Sequence, residues 1–209
     1  MGIEEKVVAI VCGGEINNLN WLKEQLNSCN FIIAADSGFD WCCKCNILPD
    51  VVIGDLDSVN TTINQDVEVI KFPSKKDKTD FSLCLDYCLN NGYKTVNVFG
   101  AIGGRVDHTL GAILSALEAF NFGLNVVIET ESSSLFFVSN SITLNKTDSY
   151  VSVFAIGGDA EGVTLEGFEY PLTNYSLKCT SPLGVSNHIV ANSAKISVKS
   201  GDLLVIVQK

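Results

Sequence analysis

Six short apolar runs punctuate the first 130 residues: Val7–Val11, Phe31–Ala34, Val51–Ile53, Val67–Ile70, Val96–Phe99 and Val126–Ile128. They are rich in β-branched residues and nearly continuous rather than alternating. Such runs need burial on both faces, which parallel strands obtain when helices cover each side of the sheet. Helical patterns fall between several of them. Residues 80–90 place Phe81, Cys84, Leu85, Cys88 and Leu89 on one face, with Gly92 as the stop. Residues 107–120 place Leu110, Ile113, Leu114 and Leu117 on one face. This alternation predicts an α/β domain with a mostly parallel, Rossmann-like sheet over residues 1–130.

The texture changes at ETESSS, residues 129–134. Beyond it no helical period persists. Short strand-like runs recur at Leu135–Val138, Tyr150–Ala155, Gly162–Leu165, Tyr175–Lys178, His188–Ala191, Lys195–Val198 and Leu203–Val207. Turn formers separate them, among them Gly157-Gly158, Gly167, Pro171 and Ser200-Gly201-Asp202. The expectation for residues 131–209 is an all-β domain, a sandwich or jelly-roll-like arrangement.

Charge excludes one class of partner. The formal net charge of −10 argues against nonspecific nucleic-acid binding, which needs lysine and arginine to displace counterions. An acidic chain can still handle phosphates if a metal ion supplies local positive charge. The opening MGIEEKVVAIV reads as a first strand rather than a secretory leader, and no apolar stretch approaches a membrane span of roughly 18 residues. The eight cysteines, including Cys42-x-x-Cys45, read as free thiols of a reducing cytoplasm, because no second C-x-x-C follows at zinc-site spacing.

In open α/β sheets, ligands sit beyond the carboxyl ends of the strands. Four predicted strands run into glycine-plus-polar loops there: Cys12-Gly13-Gly14, Asp36-Ser37-Gly38, Gly54-Asp55-Leu56-Asp57-Ser58 and Gly100–Arg105. Four such loops on one rim argue for a single site. Asp55 and Asp57, with Asp80 at the start of a later helix, offer hard oxygen ligands suited to Mg²⁺ or Mn²⁺. An Asx turn would account for one aspartate but not for two beside Gly54. In PSKKDKTD (73–80), Lys75, Lys76 and Lys78 precede a helix start that can hold phosphate. Taken alone, that stretch reads more readily as a solvated, charged loop with a helix cap. In GGRVDHTL (103–110), Arg105 can fork onto phosphate oxygens, Asp107 can cap the following helix, and His108 sits in its first turn as ligand contact or structural residue. Neither a P-loop, nor a G-x-G-x-x-G after the first strand, nor a G-x-S-x-G elbow is present.

Together ADSG (35–38), PDVVIGDLDS (49–58), KDKTDFSLCL (76–85) and GAIGGRVDHTL (100–110), with a weaker SPLGVSNH (181–188), resemble the thiamine pyrophosphokinase family. The resemblance implies transfer of a pyrophosphoryl group from ATP to the hydroxyl of thiamine, with Mg²⁺ required. It also implies a homodimer with active sites at the subunit interface. It would give the metal to Asp55, Asp57 and Asp80, and catalysis to these three with Arg105. Asp36, Lys76, Asp77, Thr79, Arg105, Asp107 and His108 would line the nucleotide and phosphate site. Ser186 and Asn187 would stand near thiamine in the second domain. Asp80 and Asp107 are both candidates for accepting the hydroxyl proton. Val185 departs from the threonine common in the family, and His188-Ile189 replace an aromatic, so the group that packs on the thiamine ring is not specified. Two rival readings remain: a Mg²⁺-dependent hydrolase or other nucleotide transferase on the same carboxylates, and a binding module with a degenerate site.

Overall fold

A computed structural model describes residues 7–75 and 77–209. The chain divides into two compact units, Met1–Glu131 and Ser132–Lys209.

The first unit contains β1 (Val8–Val11), α1 (Leu19–Asn27), β2 (Phe31–Ala35), α2 (Gly38–Lys44), β3 (Val51–Gly54), β4 (Glu68–Lys71), α3 (Asp80–Asn90), β5 (Thr95–Phe99), α4 (Val106–Asn121) and β6 (Asn125–Glu129). The sheet order is β4-β3-β2-β1-β5-β6, and every one of these pairings is parallel. The apolar runs of β1, β2 and β3 are covered on both faces, whereas β4, at the sheet edge, is largely exposed. On one face Ala9, Val11, Ala34 and Val52 pack with Leu22 and Leu26 of α1 and Phe39 and Cys42 of α2. Val8 and Ile10, alternating to the other face, are equally buried.

Helix α3 presents Phe81, Cys84, Leu85 and Cys88 inward, as its periodicity predicts. Helix α4 follows its pattern at Leu117, which is buried, but not at Leu110 and Leu114. Its buried residues are Ala112, Ala116, Leu117 and Ala119, whereas Leu110 and Leu114 are 58% and 51% exposed. Alanines let the helix backbone approach its neighbours closely. The bulkier side chains turn outward instead, with Val106, as a stripe at four-residue spacing.

The second unit is all β: β7 (Ser133–Val138), β8 (Ser141–Asn145), β9 (Val151–Glu166), β10 (Leu172–Leu177), β11 (Ser193–Ser197) and β12 (Ser200–Gln208). All its pairings are antiparallel, with β12 between β7 and β9, β11 between β9 and β8, and β10 also on β9. Two expected strands, Tyr150–Ala155 and Gly162–Leu165, are one 16-residue strand that continues through Gly157-Gly158. Its first part pairs with β12 and its last part with β10 and β11. The glycine pair thus sits within the strand, at the register shift of its pairing with β12 between Ile156 and Glu161. Ser200-Gly201-Asp202 likewise opens β12 instead of forming a separate turn. His188–Ala191 forms no named strand; Ile189 makes only an isolated bridge to Phe168. The core is an aliphatic cluster centred on Val151, Val153, Val163, Leu165, Leu177, Ile196, Leu203 and Val205.

Candidate active site

The carboxyl ends of the parallel strands are tied together by main-chain bonds that extend past the ladders. Cys12 N–H donates to Phe99 O (2.8 Å), Gly14 N–H to Gly100 O (2.9 Å) and Asp36 N–H to Ile53 O (2.9 Å). Gly38 is required by this packing: a Cβ there would stand 1.9 Å from the Val11 carbonyl oxygen. The loops after β1, β2, β3 and β5 are therefore held at one rim.

Three carboxylates converge on it. Ligand oxygens of Asp36, Asp55 and Asp57 lie within 4.8 Å of one another. Asp36 has φ 47° and Leu56, between the two other aspartates, has φ 65°. Left-handed backbone is tolerable for aspartate but costs a leucine about 1–2 kcal/mol. The Asp57 N–H donates to Asp55 Oδ1 (3.3 Å) and the Ser58 hydroxyl to Asp57 Oδ1 (2.9 Å). Asp36 Oδ1 is buried and has no hydrogen-bond partner among the described residues. Burial pushes the Asp36 carboxyl above its usual range. The Ser37 N–H opposes that shift, and the negative charges of Asp80, Asp55 and Asp57 add to it. A buried carboxylate oxygen beside like charges is unfavourable until a cation meets it. Hard oxygen donors in this number fit a divalent ion of the Mg²⁺ or Mn²⁺ type.

Sequence reasoning grouped Asp80, rather than Asp36, with Asp55 and Asp57. Asp80 opens α3 beside Gly54, where an added methyl would stand 3.0 Å from Asp80 Oδ1 and 3.1 Å from Asp36 Cβ. Asp80 thus borders the cluster, and its charge also helps to raise the Cys12 thiol, chiefly a result of burial, to about 12. The hint that Asp36 belongs with the other two was its place at the end of the adjacent strand.

The remaining predicted residues fall as follows. Thr79 caps α3: its hydroxyl oxygen accepts from Ser82 N–H at 3.1 Å and lies 2.8 Å from the Ser82 hydroxyl. Asp77 is exposed. Lys76 lies outside the described residues. Arg105 precedes α4 and forks onto Asp107 through Nε (3.2 Å) and Nη2 (2.6 Å), both side chains being exposed, as is His108.

In the second unit Ser186 is exposed with φ 58°, and its N–H donates to Ser152 Oγ at 3.0 Å. Asn187 is 3% exposed, and its carboxamide is engaged within the unit. Its oxygen accepts from the N–H of Tyr170 (3.0 Å) and of His188 (2.9 Å), and its nitrogen donates to Tyr170 O (2.8 Å). The His188 ring lies 4.3 Å from that of Tyr150, an aromatic contact that the sequence did not signal.

A carboxylate cluster at the carboxyl rim of a parallel α/β sheet defines a cation-assisted, phosphate-handling type of site. Residues 22–128 match the description "Thiamin pyrophosphokinase, catalytic domain", and residues 139–203 match "Thiamin pyrophosphokinase, vitamin B1 binding domain". The chain belongs to the thiamin pyrophosphokinase family. It is 27% identical to thiamine pyrophosphokinase of Bacillus subtilis over 209 aligned residues, covering 96% of this chain and 98% of that one. The crystal structure of the Bacillus subtilis enzyme superposes with a TM-score of 0.85 at 25% identity, covering 98% of this chain and 99% of the other. That of thiamin pyrophosphokinase from Geobacillus thermodenitrificans gives 0.82 at 26% identity, covering 97% of each chain.

Proposed function

We propose that Asp36, Asp55 and Asp57 hold a divalent cation, Mg²⁺ by donor hardness, against the phosphates of ATP, with Asp80 at the edge of the same site. Family membership supplies the reaction: pyrophosphate passes from ATP to thiamine, giving thiamine diphosphate and AMP, and the chain is a transferase. The observation that carries the residue assignment is the buried Asp36 Oδ1, with no hydrogen-bond partner among the described residues, beside two further carboxylates.

When bound, the cation supplies positive charge to the phosphate oxygens that gain charge during transfer. The protein's part is to position and to neutralise. Asp36, Asp55 and Asp57 would hold the cation through their carboxylate oxygens. Arg105 exchanges Asp107 for a phosphate oxygen pair, trading one bidentate partner for another. Lys76 adds positive charge before α3, and Asp77, Thr79, Asp107 and His108 border the nucleotide. Thr79 acts through its cap, which sets the direction in which Asp80 leaves the helix start.

The second unit holds thiamine, with Ser186 exposed for contact and Asn187 shaping the wall by tying residues 170 and 188 together. In this reading the first unit is a Rossmann-like domain and the second a β-sandwich. The enzyme works in the cytoplasm as a homodimer whose active sites lie at the subunit interface, and the exposed Val106, Leu110 and Leu114 stripe on α4 supports such pairing. Among the described residues no helix is long and apolar enough to cross a membrane.

The test is to incubate the protein with ATP, Mg²⁺ and thiamine and to separate the products by chromatography. Thiamine diphosphate and AMP in equal amounts are expected. AMP formed without a thiamine product would indicate hydrolysis, and nucleotide binding without turnover would indicate a binding module.

A further inference from the structure

Helix α2 touches two of the rim loops, those after β1 and β3. Gly38, its first residue, lies against the Val11 carbonyl at the end of β1. Trp41 Nε1–H donates to Gly14 O at 2.9 Å. Asp40, in the first turn, reaches the loop that follows the Asp55–Asp57 pair. Its Oδ1 accepts from Thr61 N–H (2.9 Å), and its Oδ2 accepts from the N–H (3.1 Å) and side-chain amide (3.0 Å) of Asn60. Both carboxylate oxygens are thus committed to residues 60 and 61, and Asp40 is not one of the three aspartates whose oxygens converge.

We infer that Asp40 is a positioning residue for the carboxylate site, holding the Asp55–Thr61 loop onto α2 so that Asp55 and Asp57 stay beside Asp36. This rests on the proposed role of those three carboxylates. Asp36 and Asp40 belong to one short segment: Asp36 leaves β2, and α2 starts two residues later. A strap from α2 to residues 60 and 61 therefore fixes the second carboxylate loop relative to the first. The donors are two main-chain N–H groups and one carboxamide, so a carboxylate can satisfy all three, whereas an amide's NH₂ group would oppose one of the N–H groups. Apart from Leu56 and Val59, which pack partly against the core, residues 55–61 have little burial to hold them. Without the strap the loop loses a three-point attachment and the carboxylate spacing becomes variable. Groups that orient metal ligands from outside the coordination sphere typically govern affinity by about 10–100-fold.

The test uses the full chain. Mn²⁺ binding is followed by electron paramagnetic resonance for the wild type, Asp40→Ala, Asp40→Asn, Asn60→Ala and Asp57→Asn. The Mg²⁺ dependence of thiamine diphosphate formation is measured alongside. Asp40→Ala is expected to weaken Mn²⁺ binding by about tenfold and to raise half-saturating Mg²⁺ in proportion, with the thiamine KM unchanged and excess Mg²⁺ restoring most of kcat. Asp40→Asn should fall between the two, and Asn60→Ala should shift binding by about twofold, since one of three bonds is lost. These milder variants carry the test if the alanine protein does not fold. Unchanged Mn²⁺ affinity in Asp40→Ala or Asp40→Asn, with Asp57→Asn weakened, overturns the role of Asp40 alone. Unchanged affinity in Asp57→Asn overturns the underlying carboxylate assignment. A fall in kcat that excess Mg²⁺ does not restore, with metal affinity intact, also overturns the positioning role.

Discussion

The main-chain N–H of Asp36 donates to the carbonyl oxygen of Ile53 at 2.9 Å, one step beyond the regular pairing of β2 with β3. That bond places Asp36 level with Gly54, directly before Asp55. Two strands separated by a helix in sequence thereby deliver carboxylates to one point. The charge density there is the property on which the functional account turns.

Asp57→Asn keeps the side-chain volume and removes one negative donor. Turnover to thiamine diphosphate should fall by at least about 10²-fold, comparable to the loss of a transition-state contact. Near-normal AMP release with thiamine present would contradict the assignment.

Asp36→Asn should separate stability from function. The charged Asp36 is held against burial and its acidic neighbours. Replacing it with asparagine should therefore raise the thermal midpoint of the metal-free protein at neutral pH. The same change should reduce the further rise in midpoint that Mg²⁺ gives the wild type by mass action. Differential scanning calorimetry with and without Mg²⁺ reads both effects.

Gly38→Ala puts a methyl group onto the Val11 carbonyl, an overlap at 1.9 Å that no rotamer can relieve. Moving α2 or β1 is the only escape. A loss of about 3 kcal/mol in urea unfolding is expected, the upper end for an overpacked site. Activity should drop as well, because α2 and the Asp36 turn move together.

Acid stability has an identifiable local source in the second unit. Asp159 is pulled down to about 2, first by its hydrogen bond from Lys178 and then by the Cys179 N–H, with distances of 2.8 and 3.0 Å. A carboxylate with a depressed folded-state pKa stabilises the fold above its unfolded value and loses that contribution as pH falls through the folded value. The window runs from the ordinary value of 3.8 down to about 2. Wild type should exceed Asp159→Asn in urea midpoint at pH 5, and the gap should narrow as pH drops through this window. Both groups are exposed, so the gap will be small.

The central parallel strands β1, β2 and β3 were legible because they are buried on both faces and read as continuous apolar runs, whereas β4, at the edge, is largely exposed. The alanine face of α4 was not legible, since periodicity weighs Leu110 and Leu114 above Ala112 and Ala116, although only the small residues permit close approach. β8 was missed because SITLN alternates exposed and half-buried residues and has no apolar run. The continuity of β9 was hidden by Gly157-Gly158, which is a turn signal in most contexts but lies inside a strand here. At the site, Asp55 and Asp57 announced themselves through spacing. Asp36 and Asp40 act with residues some 20 positions away, and only the register of β2 on β3 brings them there.

The most direct test of the central claim is to count and weigh divalent ions on the purified chain by Mn²⁺ paramagnetic resonance, comparing the wild type with the Asp36→Asn, Asp55→Asn, Asp57→Asn triple variant. A bound ion is expected in the wild type, and the triple variant should lose it together with its formation of thiamine diphosphate. Retention of that ion at wild-type affinity by the triple variant would contradict the claim.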